Sequence, residues 1–176
     1  MAHSLLMVPV PELDSVVRAR LEKRSPEHLP ITPGDTVAHI TLLGPFAPRE
    51  ELTPGVLSEL RWFFADVTPY RYELTRVSRF PGGTLYLTPD PSSPFRQLTH
   101  ELARRFPEHP PYGGAFDDVV PHLSIPLLPD EDVDDVEREL APRLPVAAQA
   151  TEAALYWWEP GACGTLETFP FGTTAA

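Results

Sequence analysis

Two short segments with the same alternation of polar and aliphatic residues set the strongest limit on how this chain of 176 residues folds. They are AHITLLGPF at 38–46 and PHLSIPL at 121–127. In a β-strand, residues two positions apart point to the same face. Each segment therefore predicts a strand that presents an imidazole and a hydroxyl on one face and aliphatic side chains on the other.

The polar pairs are His39 with Thr41 and His122 with Ser124. Burying such a pair without hydrogen-bond partners costs about 1–3 kcal/mol for each group. We therefore expect the polar faces to line a cleft or to bond internally. If the two strands lie side by side, the histidines face each other across one groove.

The surrounding pattern predicts one domain, residues 1–176, made of two pseudo-symmetric lobes. In each half, a motif strand follows a Pro- and Gly-rich loop and precedes a helix. The strand at 70–80 and its hairpin partner in GGTLYLTP are expected to pair antiparallel. The other predicted elements are strands at 4–10, 37–43, 120–127, 145–158 and 164–171, and helices at 12–24, 49–65, 92–106 and within EDVDDVERELA.

Composition excludes several classes of function. The formal net charge of -11 argues against binding to long nucleic acid, which depends on Lys and Arg neutralising phosphates. No apolar run approaches the roughly 20 residues needed to cross a bilayer, and no segment resembles a secretion signal. Cys163 is the single cysteine, so no internal disulfide forms. We expect a soluble, cytoplasmic monomer with no membrane association.

Two facing imidazoles suit in-line displacement at phosphorus. An imidazole titrates near pH 6.5, so at neutral pH one ring accepts a proton while the other holds one. One ring then deprotonates the attacking hydroxyl or water, and the other protonates the departing oxygen. Thr41 and Ser124 would donate hydrogen bonds to the nonbridging phosphate oxygens. This scheme requires no metal and no cofactor.

The motifs HIT at 39–41 and HLS at 122–124 resemble the paired His-x-Thr/Ser motifs of the 2H phosphoesterase superfamily. The contexts HITLLGPF and PYGGAFDDVVPHLSI are similar to bacterial members of the 2′-5′ RNA ligase family. The resemblance implies a bilobal α+β fold in which two antiparallel sheets with outer helices surround a central groove. It also implies hydrolysis of 2′,3′-cyclic phosphates or related small cyclic or 2′-5′ phosphodiesters, with His122 as the base and His39 as the acid.

A site of this kind takes a small nucleotide or an RNA terminus as its partner. Such a ligand needs an aromatic ring for base stacking and a cation for phosphate. Tyr112, in the PPYGG loop before the second motif, is the first choice for stacking, and Phe46 is the second. Arg79 is predicted to bind phosphate because the RFPGG hairpin could reach over the groove.

Two alternatives remain at this point. One is a nucleotide- or RNA-end-binding module that keeps the groove but performs no chemistry. The other is a metallohydrolase in which His39 and His122 are ligands, together with Asp117 or Asp118. The lack of a close His-x-His or His-x-x-x-His spacing weighs against the metal site.

Overall fold

The computed structural model describes residues 2–115 and 119–172. Strands and helices follow one another along both halves of this range. In chain order the elements are β1 (His3–Pro9), α1 (Asp14–Arg24), β2 (His39–Leu43), α2 (Pro54–Ala65), β3 (Tyr70–Arg79), β4 (Leu85–Asp90), α3 (Ser93–Arg105), β5 (Leu123–Ile125), α4 (Val133–Leu140), β6 (Val146–Ala150), β7 (Glu152–Trp158) and β8 (Gly164–Pro170).

All eight strands belong to one curled antiparallel sheet in the order β6-β3-β4-β5-β2-β1-β7-β8. One half of the sheet, called the N-terminal half because it holds the first two strands, contains β2, β1, β7 and β8. The other half, called the C-terminal half, contains β3 to β6. The α+β class is confirmed. The two expected sheets are two halves of a single sheet, because the motif strands β2 and β5 pair with each other through Ile40 and Leu123.

The main core lies on the face of the sheet that the helices cover. Leu6, Ile40 and Leu123 on the strands are fully buried there, as are Phe64 on α2 and Phe95 on α3. Burying a side chain of this size stabilises the fold by about 1.5–3 kcal/mol. Because side chains alternate along each strand, every second residue points to the opposite face of the sheet. That face carries the two histidine motifs.

Local signals explain where the helices begin. The predicted helix at 49–65 starts at Pro54, preceded by a short 3₁₀ turn at Arg49–Glu51. Proline fits the first position of a helix but disfavours helical backbone in the residue before it. Thr53 accepts a hydrogen bond from the backbone N–H of Val56 at 3.3 Å and so caps α2.

The segment 145–158, predicted as one closing strand, forms two. Strand β6 pairs with β3 at one edge of the sheet, whereas β7 pairs with β1 and β8 in the other half. Thr151 alone separates them, and its carbonyl oxygen accepts a hydrogen bond from the Phe171 N–H at 2.8 Å. The sequence has no Gly or Pro at this break, so only pairing with distant strands divides the segment.

No helix in residues 2–115 or 119–172 is both long enough and apolar enough to span a membrane.

Candidate active site

The two histidine motifs lie side by side on the two central strands. Ile40 of β2 is opposite Leu123 of β5 in an antiparallel pair. One residue further in each direction, the register places His39 opposite Ser124 and Thr41 opposite His122. Directly opposite residues share a face, so these four side chains form a two-by-two block on the face away from the main core.

The histidines occupy one diagonal of this block. Diagonal neighbours on an antiparallel pair are about 7–8 Å apart. That separation leaves room for one tetrahedral phosphorus centre between the two imidazoles. The predicted parity is confirmed, because Ile40, Leu42, Leu123 and Ile125 are all buried while the histidines are partly accessible.

Each imidazole is held by the backbone in the same way. The Nδ1 atom of His39 lies 2.7 Å from the carbonyl oxygen of Val37, and the Nδ1 atom of His122 lies 2.7 Å from that of Val120. A carbonyl oxygen only accepts, so both Nδ1 atoms carry the proton. In the neutral ring Nε2 is then the basic nitrogen, and in the charged ring Nε2 is the acidic one.

The electrostatic surroundings disfavour a charge on either ring. Burial lowers the pKa of His39, the hydrogen bond to Val37 raises it, and the nearby His122 lowers it further. Burial also lowers the pKa of His122, against a raising effect of its bond to Val120. The contribution of His122 to the lowered pKa of His39 agrees with the diagonal placement of the two rings.

A cavity of about 660 Å³ opens beside His122. Its wall includes Phe80 and Tyr112, with Val120 and Ser124 next to the histidine. The ring of Phe80 meets His122 edge-on at a centroid distance of 4.9 Å. A volume of this size is typical of sites that enclose most of a small ligand.

Comparisons with known proteins identify the family of this chain. A sequence profile described as the 2′-5′ RNA ligase superfamily matches residues 9–162. The chain belongs to the 2′-5′ RNA ligase superfamily. A Bacillus licheniformis protein that carries a provisional phosphoesterase name is 24% identical over 182 residues, covering 98% of this chain and 99% of that protein. The resemblance inferred from the motifs is therefore confirmed.

Solved structures share the superfamily fold. TT0787 of Thermus thermophilus is 18% identical with a TM-score of 0.58, covering 99% of this chain and 100% of its own. Escherichia coli LigT, solved in complex with ATP, is 17% identical with a TM-score of 0.59, covering 96% of each chain.

Two side chains expected to bind the ligand lie elsewhere. Phe46 is only 4% exposed and packs edge-on against Phe106 and His109, so its ring is not available for stacking. Arg79 pairs with Leu85, which in turn pairs with Ile125, so the register puts Arg79 on the core side of the sheet. It lines a separate cavity with Leu127 and residues 131–134. The stacking role predicted for Phe46 is therefore wrong, whereas the phosphate role predicted for Arg79, whose side chain is exposed, stays a prediction.

Tyr112 lines the cavity beside His122, as expected for a ligand-facing ring. Its backbone has φ 51° and ψ 31°, a left-handed conformation that a bulky residue seldom adopts. The Tyr112 N–H donates to the Gly44 carbonyl oxygen at 2.8 Å, which ties the loop to the end of β2. This bond fixes the loop against the first motif.

Phe80 and Tyr86 also lie beside His122, although no pattern in the sequence marked them. Their rings stack at a centroid distance of 4.0 Å, and Tyr86 meets His122 at 5.6 Å. Tyr86 is paired with Ser124, so it shares the face of the motif. The alternation in TLYLT already placed Tyr86 on one face of its strand, but the identity of the neighbouring strand was needed to recognise that face.

The same face of the N-terminal half is filled by the protein itself. Met7 is opposite Thr41 and packs with Leu5 and Tyr156, and all three side chains are nearly fully buried. The segment 25–36 is attached beside them, since the Ile31 N–H donates to the Cys163 carbonyl oxygen at 2.9 Å. The pseudo-symmetry of the motifs therefore does not extend to their surroundings.

Metal binding was the alternative use of these histidines. Among the described residues, no three His, Cys, Asp or Glu side chains form a group that could hold a metal ion. Asp117 and Asp118, which completed that alternative, lie outside the described residues.

Proposed function

We propose that this protein is a metal-independent phosphodiesterase that hydrolyses 2′,3′-cyclic phosphates or related small cyclic or 2′-5′ phosphodiesters. The observation that carries the proposal is the diagonal pair of histidines with matched Nδ1 hydrogen bonds. Both Nε2 atoms are thereby kept for proton transfer. Membership of the 2′-5′ RNA ligase superfamily supports the reaction class.

In the proposed reaction the phosphodiester lies between the two rings. One imidazole takes a proton from water through Nε2, and the water oxygen forms a bond to phosphorus. The bond from phosphorus to the departing ribose oxygen breaks, and that oxygen receives the proton held on Nε2 of the other ring. Thr41 and Ser124 donate hydrogen bonds to the nonbridging oxygens as negative charge builds on them.

We assign His122 as the base and His39 as the acid, following the resemblance. In the ligand-free protein, burial and the neighbouring His122 both disfavour a proton on His39. A bound phosphodiester anion opposes these effects, because a negative charge nearby favours the protonated ring. The acid role of His39 thus depends on the substrate occupying the site.

The ligand class follows from the cavity and the fold relatives. The aromatic wall beside His122 suits a nucleoside, and the fold relative E. coli LigT has been solved with the nucleotide ATP. We therefore propose a small nucleotide or an RNA terminus as the substrate. Hydrolysis is favoured over ligation because the net charge of -11 provides little attraction for long RNA.

The test measures turnover of nucleoside 2′,3′-cyclic phosphates in the presence of a chelator. The monophosphate product is quantified by chromatography. His39→Asn and His122→Asn each retain a donor near the Nδ1 position but remove Nε2. Each should lower kcat by about 10²–10⁴-fold. His100→Asn, on the exposed side of α3, is the matched control.

Two results would contradict the proposal. Equal turnover by wild type and both asparagine variants would remove the histidines from the chemistry. Tight binding of cyclic nucleotides by calorimetry, with no turnover of any of them, would instead identify a nucleotide-binding module.

A further inference from the structure

We propose that Arg76 determines substrate specificity by binding a second phosphate, one ribose away from the phosphorus that reacts. A phosphate on the 5′ oxygen of a nucleotide occupies that place, either as a terminal monoester or as the diester that continues an RNA strand. This inference rests on the proposed phosphodiesterase function and narrows its substrate class. It predicts that 2′,3′-cyclic phosphates with a 5′-phosphate bind more tightly than those without one.

A β-bulge in β3 sets the position of Arg76. Leu74 and Val77 of β3 are three positions apart, but their partners on β4 are only two positions apart. Two residues, Thr75 and Arg76, therefore oppose one residue of β4, Thr88. Leu74 and Val77 both pack against the main core. Thr75 and Arg76 are exposed, so the bulge places both of them on the face away from the core.

This face also carries the histidine motifs. Leu87 of β4 is opposite Leu123 of β5 in an antiparallel pair. The next position in this register places Thr88 opposite His122. Arg76 therefore lies two strands away from His122 on the same face, about 10 Å between the backbones. In the proposed reaction the phosphorus lies over β2 and β5, so a cation on β3 is placed for a group further along the substrate.

The bulge brings together donors that suit a phosphate. An arginine presents a planar fork of N–H groups that matches two phosphate oxygens. The hydroxyl groups of Thr75 and Thr88 lie on the same face and add neutral donors beside it. Among residues 2–115 and 119–172, no carboxylate forms an ion pair with Arg76. The exposed guanidinium is therefore available to an incoming anion.

Acidic residues next to the bulge limit how many phosphates bind. Glu73 pairs with Asp90 one step further from the β3–β4 hairpin, and both are exposed on the same face as Arg76. Their negative charges repel an anion that extends past Arg76 in this direction. Arg71, on the far side of Glu73, is opposite Gln149 of the edge strand β6. The face therefore accepts one phosphate at the bulge rather than a long strand.

Arg79 is the competing candidate for this phosphate, since the sequence predicts that it binds one. Its guanidinium lies against Gly83, at the turn that borders the cavity beside His122. Its register position is on the core face, whereas Arg76 is on the face of the motifs. The two arginines thus lie at different places around His122, and substitution of each one separates their contributions.

The test is calorimetric binding to the His39→Asn variant, which slows turnover and keeps β3 and β4 unchanged. The probes are adenosine 2′,3′-cyclic phosphate, the same compound with a 5′-phosphate, and the dinucleotide ApA with a terminal 2′,3′-cyclic phosphate. We expect the second and third probes to bind about three- to fivefold more tightly than the first, as for an ion pair at an exposed site. This gain should shrink as salt screens the attraction. A gain for only one of these two probes also supports the subsite and identifies whether the monoester or the RNA strand supplies the phosphate.

Substitutions at the bulge locate this gain. Arg76→Gln should remove it and leave binding of adenosine 2′,3′-cyclic phosphate unchanged, whereas Arg76→Lys should retain part of it. Arg71→Gln is the matched control, because Arg71 is an exposed arginine on the same strand and face. In the double variant Thr75→Arg/Arg76→Thr the gain should persist, because both bulge residues oppose Thr88. Glu73→Gln should increase the gain, since it removes a repelling carboxylate.

The outcomes separate this inference from the proposed function. Equal affinity for all three probes, a gain that persists in Arg76→Gln, or a gain that Arg79→Gln alone removes would overturn the phosphate subsite. Wild-type protein that shows the gain through Arg76 but turns over none of the probes would overturn catalysis and support the subsite. Turnover of all three probes with equal affinity would support catalysis and overturn the subsite. Because Arg76 is exposed, its variants should fold, and circular dichroism checks this.

Discussion

Ile40 lies opposite Leu123 where the two halves of the sheet meet, and this aliphatic pair sets the relative position of both histidine motifs. Both side chains are fully buried on the core face. The residues before and after them carry the polar groups on the other face. A packing contact in the core therefore fixes the geometry of the candidate active site.

Leu123→Ala should lower the free energy of unfolding by about 2–5 kcal/mol, because it leaves a cavity in the core at the seam, the junction between β2 and β5. It should also lower kcat, since His122 and Ser124 flank the altered position. Leu85→Ala is the matched control, as Leu85 is equally buried on the neighbouring strand β4 and pairs with Ile125 rather than with Ile40 or Leu123. Denaturant unfolding and steady-state kinetics on both variants measure the two effects. Equal losses of kcat in the two variants would argue against a special role for the seam.

A substrate with a good leaving group should distinguish the acid from the base. Nitrophenolate departs without needing a proton, so loss of the acid matters little for a 4-nitrophenyl phosphodiester. His39→Asn should recover much of its activity on this substrate relative to a ribose leaving group, whereas His122→Asn should not. Release of nitrophenolate is followed by absorbance. Recovery in His122→Asn instead would reverse the assigned roles.

The pH dependence of kcat/KM should be bell-shaped with its maximum below pH 6.5. Burial lowers the pKa of both imidazoles, so each ring loses its proton at a lower pH than a free histidine. At still lower pH both rings are protonated and no base remains, and at high pH both are neutral and no acid remains. Initial rates at low substrate concentration measure the profile. A maximum above pH 7.5 would contradict this prediction.

Asp14 should act as a positioning residue for His39. Its carboxylate oxygen Oδ1 accepts from the backbone N–H groups of Val37 and Ala38, at 2.6 Å and 3.3 Å. The carbonyl of Val37 in turn holds the His39 ring. Asp14→Ala should lower kcat by about ten- to a hundredfold through misplacement of the imidazole, with little change in KM.

Asp14→Asn retains an oxygen acceptor and should restore most of this loss. Glu22→Ala, on the exposed side of the same helix, is the control. If Asp14→Ala changes KM and kcat alike, the residue contributes to folding or binding rather than to ring placement.

The ion pair between Arg20 and Glu131 should make the free energy of unfolding depend on pH in the acid range. The Arg20 guanidinium is almost fully buried and donates to Glu131 Oε2 at 2.8 Å and to the Pro126 carbonyl oxygen at 3.0 Å, so it links α1 to the C-terminal half. The hydrogen bond from Arg20 is the main cause that lowers the pKa of Glu131. A lowered pKa means that this stabilisation is present above the ordinary value of 4.5 and is lost as pH falls through the folded-state pKa.

Glu131→Gln should therefore lower the free energy of unfolding at pH 7 by about 1–2 kcal/mol, the low end for a charged hydrogen bond because the carboxylate is partly exposed. The difference in free energy of unfolding between Glu131→Gln and wild type should become smaller below pH 4.5, because Glu131 is increasingly protonated there. Urea unfolding at several pH values measures it. Asp134→Asn, in the same acidic region, is the control, and a difference that is constant with pH would exclude the linkage.

Much of the site could be predicted because it depends on local alternation. The two-residue repeat of a strand puts His39 with Thr41 and His122 with Ser124 whatever lies around them. The sequence is less informative about residues whose surroundings depend on distant partners. The hairpin predicts that Arg79 reaches over the groove, whereas the pairing of Arg79 with Leu85, and of Leu85 with Ile125, gives it a register position on the other face.

The sequence by itself determined the chemistry of the motifs, the face on which each group lies and the family to which the chain belongs. The tertiary structure decided that β2 and β5 are neighbours, that one half of the groove face is filled by Met7 and Tyr156, and that the other half opens beside Phe80. The physical reason is range: side-chain parity follows from the backbone of a single strand, whereas the neighbour across each strand depends on how the whole sheet packs its core.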